Sequence, residues 1–177
     1  MRMKYVWVLL LLVAGAVAPR AAQGQAELYG QFSVSDLANP SYTDYLYGAT
    51  TGIVVDGPTL FHRVVLSADI QGRFVHKTNE SLNGVTVGPR FSLPLKKHGL
   101  TPYGEFMVGF ARFYSTYNYI SGRTTDAELQ VNAGVAKRVS PRWDVSLDYS
   151  YAQYYADGGE YNPKTFSAGA IFHFVKR

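Results

Sequence analysis

Ser167-Ala168-Gly169-Ala170-Ile171-Phe172-His173-Phe174 stands almost at the C-terminus of a 177-residue chain. In an extended strand successive side chains point to opposite faces, so Phe166, Ala168, Ala170, Phe172 and Phe174 share one face and His173 lies on the other. The first face is too apolar to meet water, and the stretch reads as a strand bordered by something greasy.

Earlier stretches repeat the alternation. Residues 27–35 set Leu28, Gly30, Phe32 and Val34 against Tyr29, Gln31, Ser33 and Ser35. Residues 46–55 are looser, with Thr50 and Thr51 followed by Ile53, Val54 and Val55, and a turn at Asp56-Gly57-Pro58 is expected to end them. Residues 62–75 set Val64, Leu66, Ala68, Ile70, Gly72 and Phe74 against Val65, Ser67, Asp69, Gln71 and Arg73. In residues 85–93, Val85, Val87, Phe91 and Leu93 alternate with Thr86, Gly88, Arg90 and Ser92, and Pro89 suggests a local bulge. After Lys96-Lys97-His98-Gly99 the chain returns through residues 101–113, with Phe106, Val108 and Phe110 opposite Tyr103, Glu105 and Met107. Residues 126–136 place Ala127, Leu129, Val131, Ala133 and Val135 against Glu128, Gln130, Asn132 and Gly134. Residues 143–154 place Trp143, Val145, Leu147, Tyr149 and Tyr151 against Asp144, Ser146, Asp148 and Ser150. With the closing stretch this makes eight segments, an even number, as a closed up-and-down barrel requires.

The connections alternate in length. Short turns fall near Gly57, Lys97 and Pro141, and longer polar, Tyr-rich loops are expected over residues 36–45, 77–84, 114–125 and 156–163. Short turns belong to the periplasmic side of such a barrel and long loops to the exterior. Segments of about ten residues, tilted near 45°, cross a bilayer. In hydrocarbon every backbone N–H and C=O needs a partner, so a sheet is tolerated there only when it closes on itself. Tyr149, Tyr151, Phe110, Tyr114 and Trp143 fall near segment ends, where amphipathic rings form interfacial girdles.

The alternative is a soluble eight-stranded barrel with its apolar face turned inward around a ligand. Charge placement separates the two. Asp69, Arg73, Arg90, Glu105, Glu128, Asp144 and Asp148 all fall on the polar face, and a charge facing lipid at mid-depth costs up to about 2–4 kcal/mol. These side chains are therefore expected inside. Arg90 and Glu105 stand equally far from the Lys97-His98 turn, so a simple hairpin sets them opposite each other. With Asp69, Arg73, Glu128 and Asp148 they are expected to form a lumen ion network that plugs the barrel.

At the other end of the chain, Arg2 and Lys4 precede an apolar run over residues 5–17, and Ala22-Gln23-Gly24 offers small residues at the two positions a signal peptidase reads. Residues 1–24 read as a cleaved export signal and residues 25–177 as one domain of ~150 residues. The formal net charge of +4 loses Arg2, Lys4 and Arg20 with that leader, which leaves near balance. No basic surplus then remains to support nucleic-acid binding. The absence of Cys excludes a disulfide framework and any Cys-based metal site. With 14 Tyr, 10 Phe and 17 Gly and almost no helical period, the composition argues for sheet.

The closing stretch, with a polar start, Gly169, Phe172 and Phe174, resembles the C-terminal β-signal by which outer-membrane barrels are recognised by the β-barrel assembly machinery. Taken with the eight segments, the chain resembles the small outer-membrane β-barrel family that includes OmpX, the opacity proteins and the barrel domain of OmpA. Thr101-Pro102-Tyr103-Gly104-Glu105-Phe106 resembles the Pro-aromatic-x-Glu phrase common there, as does Val139-Ser140-Pro141-Arg142-Trp143 at the third turn. The resemblance implies an integral location in the bacterial outer membrane, in contact with its lipid and lipopolysaccharide, far more strongly than it implies an activity.

Some barrels of this size modify lipid A with a His, a Ser and a carboxylate, which makes the four histidines worth weighing. His62 begins the third segment, His76 edges a loop, His98 lies in a turn and His173 faces inward near the periplasmic end. No His-x-Ser pair occurs, and no catalytic residue is assigned. Asp126, Asp157 and Glu160 lack ligand spacing, so no metal or cofactor is expected. Basic residues cluster on the periplasmic side at Lys96, Lys97, Lys137, Arg138, Arg142, Lys176 and Arg177. Only Lys77, Arg123 and Lys164 are expected at the outer rim, too few for a lipopolysaccharide clamp. Tyr42, Tyr45, Tyr117, Tyr119 and Tyr161 give the outer loops contact area for an extracellular protein partner.

The expectation is a monomeric, all-β, eight-stranded antiparallel up-and-down transmembrane barrel with a structural or surface-interaction role. A narrow channel for small solutes is the first alternative and a lipid A-modifying enzyme the second.

Overall fold

The computed structural model describes residues 25–37, 45–60, 63–95, 97–117, 120–156 and 159–175. The expected leader, Tyr42, His62, Lys96, Tyr119, Asp157, Lys176 and Arg177 lie outside them. The chain runs through β1 (Ala26–Asp36), β2 (Tyr45–Leu60), β3 (Val64–Lys77), β4 (Glu80–Ser92), β5 (Leu100–Tyr117), β6 (Ile120–Arg138), β7 (Trp143–Ala156), β8 (Gly159–Tyr161) and β9 (Lys164–His173). Each barrel strand pairs antiparallel with the next, and β9 pairs with both β7 and β1. The sheet therefore closes. β8 is a three-residue return against the end of β7 and takes no part in the closure, so the barrel has eight strands: β1 to β7 and β9.

Register fixes the barrel's shape. From Phe32 the pairing leads through Ala49, Phe74, Asn83 and Arg112 to Thr125 in one direction. In the other it leads through Ala168 and Leu147 to Val135. The two routes reach β6 ten residues apart, which is the stagger accumulated around the barrel. For eight strands such a stagger tilts them by about 40°, in the range where inward side chains fill the interior.

Both faces follow the alternation. Phe32, Ile70, Val85, Phe106, Phe110, Val131, Leu147 and Phe166 point outward and are exposed, Phe166 by 66%. Asp69, Arg73, Arg90, Glu105, Glu128 and Asp144 point inward and are buried, Asp69 completely. Acidic, basic and imidazole side chains that face outward from the strands include Asp36, His76, Arg112 and Lys164 towards one rim and Lys137 at the other. Between them runs an uncharged belt. Rings gather where it ends: Trp143 meets Phe172 at a tilt, 5.0 Å between centroids, and Phe172 meets Phe174 edge-on at 5.4 Å. Towards the opposite rim Tyr149 meets Phe166 at 5.0 Å.

One rim carries the connections after β2, β4 and β6 together with Gln25 and Val175, and is called the turn rim below. The other, with the connections after β1, β3, β5 and β7, is the loop rim. The turn at Lys97-His98-Gly99 forms as expected, with Gly99 at φ +62°, a conformation that costs glycine little.

Three sequence expectations need correction. Asp56-Gly57-Pro58 does not end β2; the strand continues to Leu60 and the extra residues form a bulge, with the register shifting between Asp56 and Thr59. Pro58 has no N–H to offer a ladder, and a bulge is where its absence costs least. Pro89, by contrast, makes no bulge. Its pair with Ala68 keeps register, and the ladder to β5 omits Gly88 and Pro89 but resumes in step at Arg90 opposite Glu105.

The connections are also less unequal than their polarity suggests. β3 and β4 are joined by a two-residue turn at Thr78-Asn79, where a loop over residues 77–84 was expected. β5 and β6 zip on to Tyr117 opposite Ile120, through the segment expected to be a loop over residues 114–125. Tyr, Thr and Ile favour the extended backbone whether lipid or water surrounds it, so the ladder outruns the membrane.

Gly169 explains the glycine of the closing strand. A Cβ there would lie 2.1 Å from the Gly30 carbonyl oxygen and 2.5 Å from the Gln31 Cα, both backbone atoms of β1 across the closing seam. Gly30 itself has nothing within 4 Å of its own Cβ position. Gly169→Ala is thus expected to remove most of the compact, heat-modifiable band from an unboiled gel, and Gly30→Ala to leave it unchanged. Equal behaviour of the two variants would refute the close-approach explanation.

Candidate functional site: the layered lumen

Inward side chains from all eight barrel strands meet in layers. In the middle, Arg90 on β4 faces Glu105 on β5, Nε to Oε1 3.4 Å, with Asp69 on β3 3.9 Å from Nη1. Its guanidinium lies 3.6 Å over the Tyr103 ring, so a cation–π contact takes the face that no carboxylate covers. The Tyr29 hydroxyl donates to Asp69 at 3.1 Å and accepts from Gln71 at 3.2 Å. Tyr103 donates to Asp148, which also accepts from Gln31. Gln31 reaches Ser146 as well, at 2.9 Å.

Towards the loop rim a second cluster joins Arg73 on β3 to Glu128 on β6 and Tyr154 on β7. Gln130 links the clusters: it donates to Gln71 at 2.8 Å and to Asn132 at 2.6 Å, and its own oxygen accepts from Arg73 at 3.4 Å. Asn132 then donates to Glu105 at 2.5 Å. The six residues expected in a lumen network therefore fall into two ion-pair clusters, with Asp148 tied in through Tyr103. Amide side chains that carry no charge make the connection. At the centre remains a void of about 10 Å³ lined by Tyr29, Gln31, Arg90, Tyr103, Glu105 and Asp148. That is roughly the room one water needs.

Beyond Arg73 the lumen turns apolar. Leu37, Leu46, Val75, Leu82, Ala111 and Ala152 pack together with Tyr154, all buried, and close the loop rim from inside. Continuing the alternation of residues 62–75, 101–113 and 143–154 towards the loop rim assigns Val75, Ala111, Ala152 and Tyr154 to the inner face, and this phase is the sequence signal for the plug. The other end is open. A vestibule of about 600 Å³ at the turn rim reaches Asp56, Arg138 and Asp144. At its inner wall His173 on β9 stands between Glu27 on β1, 3.2 Å from Nδ1, and Asp144 on β7, 3.0 Å from Nε2. Arg138 approaches Asp144 at 3.7 Å.

Of the other histidines, His76 faces outward at the loop rim and His98 is exposed in its turn. Among the described residues no group of three or more His, Asp and Glu side chains is arranged to hold a metal ion. Arg112, unassigned from sequence, faces outward near the loop rim with its Nε 3.3 Å from Thr125. Gly169, Phe172 and Phe174 sit on the closing strand, Gly169 at the β1 seam and both rings towards the turn-rim end of the belt.

Residues 7–174 match the family model described as "Outer membrane protein beta-barrel domain". The chain belongs to that family. It is a small, integral outer-membrane β-barrel. Among solved structures it is similar to Neisserial surface protein A, at 13% identity and a TM-score of 0.59 over 85% of this chain and 97% of that one. It is also similar to Ail, the attachment invasion locus protein of Yersinia pestis, at 12% identity and a TM-score of 0.61 over 85% of this chain and 99% of that one. Ail in complex with the heparin analogue sucrose octasulfate aligns at 15% identity with a TM-score of 0.59, over 85% and 99%. At these identities the likeness is one of fold. No curated protein sequence matches the chain.

In this family member the lumen ion pairs are buried, so breaking one costs more than removing both partners. Arg73→Met leaves Glu128 buried without its cation and is expected to lower unfolding stability in detergent by about 3–5 kcal/mol. Arg73→Met with Glu128→Leu is expected to recover most of that loss. Urea titration of the refolded barrels decides it, and a double variant no better than the single one would refute the pairing.

Proposed function

We propose that the protein is a non-catalytic, non-conducting surface-interaction protein that works through what it presents outside the cell. On this reading residues 1–24 direct export and are removed, the β-barrel assembly machinery inserts the monomer, the turn rim faces the periplasm and the loop rim faces out. One observation carries the reading: the lumen is filled. Among the described residues a central void of about 10 Å³ and the apolar plug of Leu46, Val75 and Leu82 leave the lumen little room, which supports a non-conducting barrel. The interior also offers little to an enzyme, since both ring nitrogens of buried His173 face carboxylates and neither is left to activate a nucleophile.

What remains available is the outer surface. β5 and β6 have 18 and 19 residues, nearly twice the roughly ten that a tilted strand needs to cross, so their hairpin projects beyond the belt. Its sequence, Tyr114-Ser115-Thr116-Tyr117-Asn118-Tyr119-Ile120, brings three tyrosines, which give contact area at low conformational cost. Attachment, the role in the name of the attachment invasion locus protein Ail, is the kind of role this surface suits.

Planar-bilayer recording of the refolded protein is expected to give no discrete conductance; steps that persist on repurification would favour the channel. Replacing residues 115–122 by Asn-Gly is expected to reduce retention of host-surface or serum proteins on displaying cells at least tenfold while leaving heat-modifiability intact. Unchanged retention would remove the hairpin from the proposal. Leu147→Arg, mid-belt, is expected to cost about 2–4 kcal/mol of stability in lipid vesicles. A neutral result there would refute the outward-to-lipid reading.

A further inference from the structure

Charges at the turn rim are sorted by face. The carboxylates Glu27, Asp56 and Asp144 belong to the inner wall, with His173 and Arg138 among them. Opening off the vestibule, with which it shares Thr59, Val65, Pro94 and Leu95, a groove of about 780 Å³ runs between the β2–β3 hairpin and the β4–β5 connection, edged by Arg63, Lys97 and His98 and carrying Leu93 on its outer side. No carboxylate lines it. Among the described residues, the side chains of Arg63, Lys97 and His98 have no hydrogen-bond or ion-pair partner, whereas Arg73, Arg90 and Arg138 all have carboxylates.

The groove is continuous with the lipid face. Leu93 ends the outward row that begins with Val85, Val87 and Phe91, and both Leu93 and Leu95 are exposed. Register carries β4 past Ser92 opposite Val65, so Leu93 and Pro94 arrive beside Val64 and Arg63. An apolar track thus leads from mid-belt to two cations and an imidazole at the level where a leaflet's headgroups lie. One amphiphile matches each part: acyl chain along Phe91 and Leu93, phosphodiester at Arg63 and Lys97, and a headgroup without a neutralising ammonium, since the site supplies the positive charge.

We propose that this groove binds an anionic phospholipid, a phosphatidylglycerol-type phosphodiester of the periplasmic leaflet. The proposal rests on the membrane orientation given above. It makes the turn rim a selective lipid contact, distinct from the uniform solvation of the belt.

Native mass spectrometry of the refolded full chain in detergent, with phosphatidylglycerol or phosphatidylethanolamine added at equal concentration, tests it. Phosphatidylglycerol is expected to be retained at least fivefold more. Arg63→Ala with Lys97→Ala should abolish that preference, Leu93→Asn should weaken retention of both lipids, and Lys164→Ala at the loop rim should change neither. Equal retention of the two lipids, a preference that survives the double variant, stronger retention of lipid A, or displacement by millimolar inorganic phosphate would each overturn the site. Insertion into vesicles and the heat-modifiable band are read on the same samples. If both persist while selectivity is missing, only the lipid site falls; if the wild type does not insert, the membrane reading falls and takes the site with it.

Discussion

Hydrocarbon offers no hydrogen-bond partner to a peptide group, and every feature of this barrel answers to that fact. A sheet of seven paired strands would leave two rows of N–H and C=O groups unpaired on its edges. β9 removes both edges by pairing with β1 and β7 at once. Closure in turn demands a fixed stagger, and the ten-residue offset measured on β6 sets the tilt and the bore. The bore then decides how much side chain the lumen must hold. Gly169 is small because a Cβ at that point of the seam would meet the Gly30 carbonyl oxygen and the Gln31 Cα of β1.

Once the bore is fixed, the lumen must be filled with whatever the inward phase supplies, and the supply is graded along the axis. Carboxylates with His173 and Arg138 stand at the turn rim, Arg90 and Arg73 with their carboxylates through the middle, and Leu46, Val75 and Leu82 at the loop rim. Two buried cations repel each other strongly in low dielectric unless each has its own counter-charge. The register keeps them apart, Arg90 opposite Ser67 and Arg73 six residues further along β3, and the gap is bridged by Gln71, Gln130 and Asn132, amides that donate and accept without adding charge. Asp148, which has no cation of its own, is met by the Tyr103 and Gln31 donors.

Most of this fold was legible because alternation is a local signal with a period of two. The residues that face lipid and those that face the lumen follow from phase alone, and the opposition of Arg90 and Glu105 follows from counting back from the Lys97-His98 turn. Where the sequence misled, the local signal was ambiguous. Asp56-Gly57-Pro58 has the composition of a turn and of a bulge alike, and only the pairing of β3 past Thr59 distinguishes them. Residues 114–125 are polar enough for a loop and β-prone enough for a ladder. The His173 clasp joins three strands whose neighbours are fixed only by closure, so Glu27 and Asp144 could not be assigned to it from spacing.

The two rims resolve the same constraint differently, and the difference bears on what each can do. At the loop rim the ladder of β5 and β6 carries on past the belt, so backbone pairing continues in water and the lumen is shut with apolar side chains beneath it. Projection outside and closure inside go together, because the residues that seal the mouth also hold the base of the hairpin. At the turn rim the strands stop near the interface, the connections are short, and side chains in place of backbone must satisfy the boundary. Carboxylates turn inward to His173 and Arg138, and among the described residues Arg63 and Lys97 are left without an ion-pair partner. That sorting of charge is what supports the proposed anionic headgroup at the membrane face, as the projecting hairpin is what supports the proposed partner beyond it.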